Sequence, residues 1–339
     1  MTSQVSTPAV AFEASHPSAP ALADAHARGL GLSGYLACFR GIVWREVLRF
    51  VHQRERFLSA LVRPLIWLFI FAAGFRQTLG MSITQPYSTY VLYETFVTPG
   101  LVGMILLFNA MQSSLSMVYD RETGAMRTLL VSPFPRSFLL TSKLIGGVFV
   151  AVVQAYTFLL IARIWDSWTW EKQPDWASAV SSIPANLQAT WMQFQNVDPA
   201  PFGYLTVLPA LILAGLMLGS LALFMSSVIK QLENFAGVMN FVIFPMFFAS
   251  SALYPLWRIR EGSPLLADIA WLNPFSHAVE LIRFALYGQI GPVSETGVLD
   301  LTHLYFVIGC TIFFLGAAIY AYNPSKGLIA RRGGPGGGA

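Results

Sequence analysis

Long apolar runs separated by short polar segments dominate the sequence from residue 61 onward. A helix needs about 20 consecutive apolar residues to cross the hydrocarbon core of a bilayer. We therefore predict six transmembrane helices, at 61–79, 96–118, 143–165, 204–228, 235–254 and 302–322. Prolines inside or at the start of four of these runs are compatible with membrane helices, because neighbouring helices satisfy the freed backbone groups.

The segment that precedes the first span has a different pattern. Residues 1–34 are small, polar and rich in proline, which predicts a disordered tail. In 35–60, apolar residues recur at helical spacing while most arginines fall elsewhere, which predicts an amphipathic helix on a membrane surface. The alternative is the first helix of a soluble bundle. We assign 61–323 to the transmembrane domain and 324–339 to a Gly-rich tail.

Two long segments between the spans combine apolar and polar residues. The insert 166–203 is rich in tryptophan, whose ring prefers the headgroup layer, and we predict short helices on the outer leaflet. Residues 255–290 are too polar and too interrupted for a seventh span. We predict a re-entrant helical hairpin there, called the outer hairpin below, which completes an all-α polytopic membrane fold.

Composition excludes a soluble protein. Of 339 residues, 55% are hydrophobic and only 11% are charged, whereas soluble domains carry about 25% charged residues. The net charge of +4 does not indicate nucleic-acid binding, because the basic residues sit in short segments between apolar runs.

The positions of the basic residues predict the orientation. If the N-terminus is cytoplasmic, fifteen Lys and Arg residues lie on the inside and six on the outside. Cytoplasmic segments carry such an excess. We therefore expect a multi-pass protein of the bacterial inner membrane with both termini in the cytoplasm.

Motifs for catalysis are absent from the sequence. It contains no GxxxxGK[ST] phosphate loop, no HExxH and no GxSxG. The five histidines and two cysteines are dispersed, and their spacing fits neither a zinc site nor a disulfide framework. We expect no catalytic residue, no metal and no cofactor in this chain.

Two stretches are similar to one transporter family. Residues 119–143, YDRETGAMRTLLVSPFPRSFLLTSK, resemble the cytoplasmic loop between the second and third spans of ABC-2 type permeases. Residues 249–288, ASSALYPLWRIREGSPLLADIAWLNPFSHAVELIRFALYG, resemble the family's outer hairpin. The TPGLVGM run at 98–104 is a weaker match. Together with the order of the spans, the resemblance covers 35–323, although the insert 166–203 is longer than is usual in the family.

The resemblance implies the membrane subunit of an ATP-driven exporter. Two permeases, either a homodimer or this chain with a related permease, would assemble with two ATP-binding subunits, which hold ATP and Mg. A short helix in 119–131 would dock on the ATPase. The residues that we assign to this coupling are Asp120, Arg121, Glu122, Met126, Arg127, Leu129 and Leu130. An ordinary connector that obeys the positive-inside rule is the alternative.

Two polar sets in the membrane region are candidates for function. The second span carries a stripe that would either line a translocation path or bond helices together: Asn109, Gln112, Ser113 and Ser116. The outer hairpin carries a set that would either form a charged gate at the outer mouth or cap and pair within its own helix: Asn273, His277, Glu280 and Arg283. Asn273 before Pro274 predicts a helix N-cap.

The resulting hypothesis is export of an amphiphilic, lipid-like or glycan-like molecule from the cytoplasm or the inner leaflet. The permease would be embedded in membrane lipid and driven by a separate ATPase. The alternative is a membrane anchor or assembly subunit of a periplasmic complex that transports nothing.

Overall fold

The computed structural model describes residues 31–52, 61–70, 82–83, 90–91, 93–123, 134–171, 203–229, 231–287 and 301–322. Contacts divide the chain into two compact units, 1–41 and 42–339, and the boundary falls inside the first helix. Most of the predicted N-terminal tail, nearly all of the insert 166–203 and the C-terminal tail lie outside the described residues.

Helices make up nearly all of the described residues. In chain order they are α1 (Leu32–His52), α2 (Leu61–Ile70), α3 (Tyr93–Glu122), α4 (Arg136–Glu171), α5 (Gly203–Val228), α6 (Leu232–Phe248), α7 (Leu256–Gly262), α8 (Pro264–Leu272), α9 (Pro274–Tyr287) and α10 (Thr302–Ala321). A two-stranded antiparallel ladder, β1 (Ser82–Ile83) with β2 (Tyr90–Val91), pairs Ser82 with Val91 and Ile83 with Tyr90. This ladder was not predicted.

Among the residues that the structure describes, four helices are long and apolar enough to cross a membrane. They comprise Thr95–Glu122 of α3, Arg136–Ile164 of α4, and the whole of α5 and α10. The first and fifth predicted spans correspond to shorter apolar helices, α2 and α6. At about 1.5 Å per residue, the 17 residues of α6 reach roughly 25 Å, less than the hydrocarbon thickness of about 30 Å.

α5 packs against four other helices. It contacts α3, α4, α9 and α10. α3 is also enclosed, since 72% of its most apolar 18-residue stretch is buried inside the protein. In the corresponding stretch of α10, 11% is buried. The core that α3, α4 and α5 share includes Leu101, Ile105, Phe158 and Leu211. The second span predicted from sequence is therefore an interior helix, and the last is peripheral.

Glycines allow the closest helix contacts. Gly215 and Gly219 of α5 face Val148 and Leu144 of α4, so this GxxxG pair lets the two helices pack closely. At Gly100 of α3, an added Cβ would lie 2.7 Å from the carbonyl oxygen of Ala252. The backbone that follows α6 therefore rests directly on α3.

The predicted outer hairpin is a succession of three short helices. α6 ends at Phe248, a turn leads to Pro255, and α7, α8 and α9 follow. Ser263 caps α8 by accepting a hydrogen bond from the Leu266 N–H at 3.4 Å, with Pro264 in the first turn. α9 packs against α3, α5 and α10. Its depth in a membrane stays a prediction.

Substitution of Gly100 by alanine should destabilise the protein. The new methyl group would collide with the Ala252 backbone, and overpacking of this kind costs about 1–3 kcal/mol. Thermal unfolding in detergent, followed by tryptophan fluorescence, measures the effect. Gly309→Ala in α10 is the control, because nothing lies within 4 Å of its Cβ position. An equal loss of stability in the two variants would show that the close contact is unimportant.

Candidate functional site

A cluster of charged side chains lies where α1, α3 and α4 meet, at the predicted cytoplasmic end. Asp120 is 7% exposed on the last turns of α3. Its Oδ1 lies 3.4 Å from Arg49 Nη2 of α1, and its Oδ2 lies 3.7 Å from Lys143 Nζ of α4. One carboxylate therefore holds cations from two other helices.

Glu46 of α1 is the second carboxylate of this charge cluster. It is 6% exposed, and its Oε1 lies 3.2 Å from Arg45 Nη2 and 3.8 Å from Arg49 Nη1. Gly146 makes room for it, because a Cβ there would lie 3.2 Å from Glu46 Cγ. Three cations (Arg45, Arg49 and Lys143) and two carboxylates (Glu46 and Asp120) thus form the cluster.

Most separations in the charge cluster exceed the 2.7–2.9 Å that is typical of a charge-assisted N–H···O bond. The attraction is therefore mainly electrostatic, and it is strengthened because Asp120, Glu46 and Lys143 are buried away from water. A buried charge without its partner is costly. The cluster accordingly fixes the second half of α1 against α3 and α4.

Glu122, the last residue of α3, contacts the start of α6. Its Oε1 accepts a hydrogen bond from the Leu232 N–H at 2.8 Å. The N-cap position of α6, Gln231, provides no side-chain cap. Because free N–H groups and a partial positive charge mark a helix N-terminus, a carboxylate stabilises it. α3 therefore supplies the cap that the sequence of α6 lacks.

The structure describes three of the seven predicted coupling residues, and their surroundings differ. Asp120 is buried in the charge cluster, Glu122 is exposed at the end of α3, and Arg121 is half-buried between them. The remaining four, Met126, Arg127, Leu129 and Leu130, lie outside the described residues. Docking on an ATPase therefore stays a prediction.

The polar stripe of α3 makes hydrogen bonds within the protein. Asn109 Nδ2 donates to Gln154 Oε1 of α4 and to the Ile105 carbonyl at 3.0 Å. Ser116 is buried and donates to the Ser113 carbonyl at 2.6 Å. Gln112 and Ser113 are half-buried. These contacts favour the helix-bonding interpretation for Asn109 and Ser116, and a translocation path stays a prediction.

Asn273 joins the end of α6 to the start of α9. Its Nδ2 donates to the carbonyls of Met246 and Ala249, each at 2.7 Å. Its Oδ1 accepts from the Phe275 N–H at 3.0 Å, which is the N-cap contact predicted for it. One amide thus satisfies carbonyls at a helix C-terminus and an N–H at a helix N-terminus.

Arg283 of α9 is buried, at 2% exposure, and it binds several elements at once. Its Nη1 donates to Glu280 Oε1. Its Nη2 donates to the carbonyls of Ser251 at 2.9 Å and Phe96 at 3.3 Å, and the guanidinium lies 4.1 Å from the Phe96 ring centroid. Arg283 therefore ties the outer hairpin to α3 and to the turn after α6.

His277 of α9 and His303 of α10 form a buried pair. Their Nδ1 atoms lie 2.8 Å apart, and His277 Nε2 lies 2.7 Å from the Trp271 carbonyl. Because a carbonyl only accepts, His277 carries its proton on Nε2 and accepts from the Nδ1–H of His303. His277 is therefore neutral in this pair, since one of its ring nitrogens accepts.

The predicted outer-gate residues are thus partnered inside one chain. Asn273, His277 and Arg283 each bond to backbone groups of the outer hairpin or its neighbours. Among the residues described, no group of three or more His, Cys, Asp and Glu side chains is placed to hold a metal ion. The geometry at both ends of the bundle connects helices, and the gate role stays a prediction.

Comparison with known proteins decides the family. The model of the ABC-2 type transporter family matches residues 38–287, which is most of the chain. The chain belongs to the ABC-2 type transporter family. The resemblance seen at 119–143 and 249–288 is therefore confirmed, and the protein is a membrane protein of a family whose members are the transmembrane subunits of ABC transporters and do not themselves hydrolyse ATP.

Named relatives are similar over much of their length. A putative transport permease, ycf38, of Pyropia yezoensis is 25% identical over 256 residues, which cover 74% of each chain. Nodulation protein J of Neorhizobium galegae is 21% identical over 85% of this chain and 93% of its own length. The probable multidrug ABC transporter permease YbhR of Escherichia coli K12 is 26% identical over 200 residues, which cover 58% of this chain and 45% of its own.

The sequence analysis of this ABC-2 chain did not identify several residues that bond helices together. For two of them, the sequence pattern carried a signal. Glu46 is the only acidic residue in a basic helix, and Gln154 is an amide within an apolar span. Polar groups at such places need partners. Lys143 and His303 gave no comparable signal, since each sits at the border of a predicted span, where charge is ordinary.

Replacing Asp120 by alanine should destabilise this protein strongly. Arg49 and Lys143 would lose their shared counter-charge, and breaking a buried ion pair costs about 3–5 kcal/mol. Thermal unfolding in detergent measures the loss. Asp268→Ala is the matched control, because Asp268 also pairs with an arginine, Arg260 at 3.9 Å, but both side chains are exposed. Similar melting temperatures for the two variants would contradict a structural role for the charge cluster.

Proposed function

We propose that this chain is the permease subunit of an ATP-driven exporter. It would move an amphiphilic, lipid-like or glycan-like substrate out of the cytoplasm or the inner leaflet. The observation that carries the proposal is the ABC-2 family match across residues 38–287, since the family works with ATP-binding subunits. The names of the relatives, a probable multidrug ABC transporter permease and a putative transport permease, support a transport role.

Assembly would follow the family pattern. Two permeases, identical or related, would face each other in the bacterial inner membrane with both termini in the cytoplasm, and two ATP-binding subunits would hold ATP and Mg. The excess of basic residues in the predicted inside segments supports this orientation. Exposed aromatic side chains on α6, Phe241, Phe244 and Phe248, are available to lipid or to the second permease.

The docking segment would be 119–131. Glu122 is exposed at the end of α3, and the sequence beyond it places Arg127 next to an apolar run. Charge at the rim and apolar side chains at the centre are usual for a protein interface. Because Asp120 is committed to the charge cluster and Glu122 contacts Leu232, Arg127 gives the cleaner test of docking.

Arg127→Glu should weaken the complex with the ATP-binding subunit. Reversing an interfacial charge leaves its partner unpaired, which costs about 2–5 kcal/mol, or roughly 30-fold to several thousand-fold in affinity. The measurement is co-purification of the two proteins from membranes, together with ATP hydrolysis by the complex. Mass spectrometry of small molecules that co-purify with the intact complex would identify the substrate class.

Arg258→Glu is the matched control for this experiment. It makes the same charge change on an exposed arginine of α7, on the predicted opposite side of the membrane. If Arg127→Glu binds the ATP-binding subunit as well as the native chain does, a docking role for 119–131 is contradicted. If the native chain binds no ATPase, the non-transporting anchor becomes the better account.

A further inference from the structure

The two ends of α6 are held very differently. At its hairpin end, the turn that follows α6 is bonded by Asn273, Ser276 and Arg283. Asn273 binds the Met246 and Ala249 carbonyls, and Arg283 binds the Ser251 carbonyl. Ser276 Oγ accepts from the Ser251 N–H at 3.3 Å, and Ser251 Oγ donates to the Ser276 carbonyl at 3.4 Å.

The hairpin end is also fixed to α3. Arg283 Nη2 donates to the Phe96 carbonyl near the start of α3. Gly100 lets the turn after α6 rest directly on α3, and Gly103 lets α9 do the same, because added Cβ atoms would meet Ala252 and Val279 at 2.7 and 3.0 Å. Close backbone contact and buried hydrogen bonds hold this end as one rigid body.

The opposite end has a single polar link among the described residues. The Glu122 carboxylate accepts from the Leu232 N–H at 2.8 Å, and the site is exposed to solvent. Gln231 makes no side-chain cap here, and its side-chain oxygen accepts from Asn234 Nδ2 at 2.7 Å instead. An exposed helix cap contributes about 0.5–2 kcal/mol, so it is far easier to break than the buried hairpin contacts.

We propose that Glu122 is a positioning residue that latches the start of α6 to the end of α3, while the two helices pivot about their joined hairpin ends. This rests on the proposed function, because Glu122 lies inside the segment 119–131 that would dock on the ATPase. A force on that segment acts first on the Glu122–Leu232 contact. Nucleotide binding would therefore separate or close the cytoplasmic ends of α3 and α6, and the hairpin would stay fixed to both.

The distance between two spin labels tests the latch. Tyr119→Cys on α3 is exposed at 55%, and Gly237→Cys on α6 has nothing within 4 Å of its Cβ position. Cys38→Ser and Cys310→Ser remove the two native cysteines. Labelled protomers are diluted with unlabelled ones, so that pulsed electron paramagnetic resonance reports the distance within one chain. The permease is measured alone and in complex with its ATPase, without nucleotide and with trapped ATP.

The background with Glu122 intact should give a narrow distance distribution that shifts when nucleotide is trapped. Glu122→Ala should give a broad distribution already in the permease alone, where no ATPase contact is involved. Glu122→Gln keeps an acceptor oxygen and should retain most of the narrow distribution. Glu233→Ala is the control, since Glu233 lies in the first turn of α6 without a described bond to α3, and it should match the background.

An unchanged distribution in Glu122→Ala would overturn the latch. A Glu233→Ala variant as broad as Glu122→Ala would also overturn it, because any acidic residue near the helix start would then suffice. Failure of the proposed function is recognised separately: the native chain would bind no ATPase, yet the permease alone would still show whether Glu122 holds the two helices together.

Discussion

The constraint with the widest consequences is that a backbone N–H or C=O group surrounded by hydrocarbon must find a partner inside the protein. α6 ends after 17 residues, and the chain then turns through Ala249–Pro255 before the hairpin helices begin. Such a break is tolerated because Asn273, Ser276 and Arg283 supply the missing donors and acceptors. The residue types suit these unpaired backbone groups. The Asn273 amide both donates and accepts, the Ser276 hydroxyl accepts, and the Arg283 guanidinium donates to two carbonyls. Asn273 and Arg283, which we predicted to form an outer gate, therefore also hold the turn after α6 in place.

The predicted cytoplasmic end, where we propose that the ATPase docks, combines buried and exposed contacts. The charge cluster fixes α1, α3 and α4 through Asp120 and Glu46, both nearly inaccessible to solvent. The start of α6 is held through one exposed carboxylate. Under the proposed latch, the start of α6 is the part of this end that can move, while the buried bonds of Asn273 and Arg283 keep the hairpin end fixed.

Much of this architecture could be predicted from the sequence, since hydrophobic runs depend only on local composition. Four predicted spans correspond to long apolar helices, although α4 begins seven residues before the predicted start at 143. The N-cap of Asn273 followed from local pattern alone. The partners could not be predicted in the same way. The pairing of Asp120 with Lys143 or of Asn109 with Gln154 depends on which helix faces share a contact, and span hydrophobicity carries no such information. The length of α6 was overestimated because the apolar run continues through Phe248–Leu253 after the helix has ended. Two-residue strands such as β1 and β2 are too short to leave a periodic signal.

The most direct test of the account is a single-particle structure of this chain bound to its ATP-binding subunit in lipid nanodiscs. The account predicts two permeases in one membrane, with residues 119–131 of each seated on an ATPase and Glu122 beside the start of α6 in the nucleotide-free state. The charge cluster would lie at the same membrane face as the ATPases. An ATPase bound elsewhere with 119–131 exposed to solvent, or ATPases on the face of the outer hairpin, would contradict it.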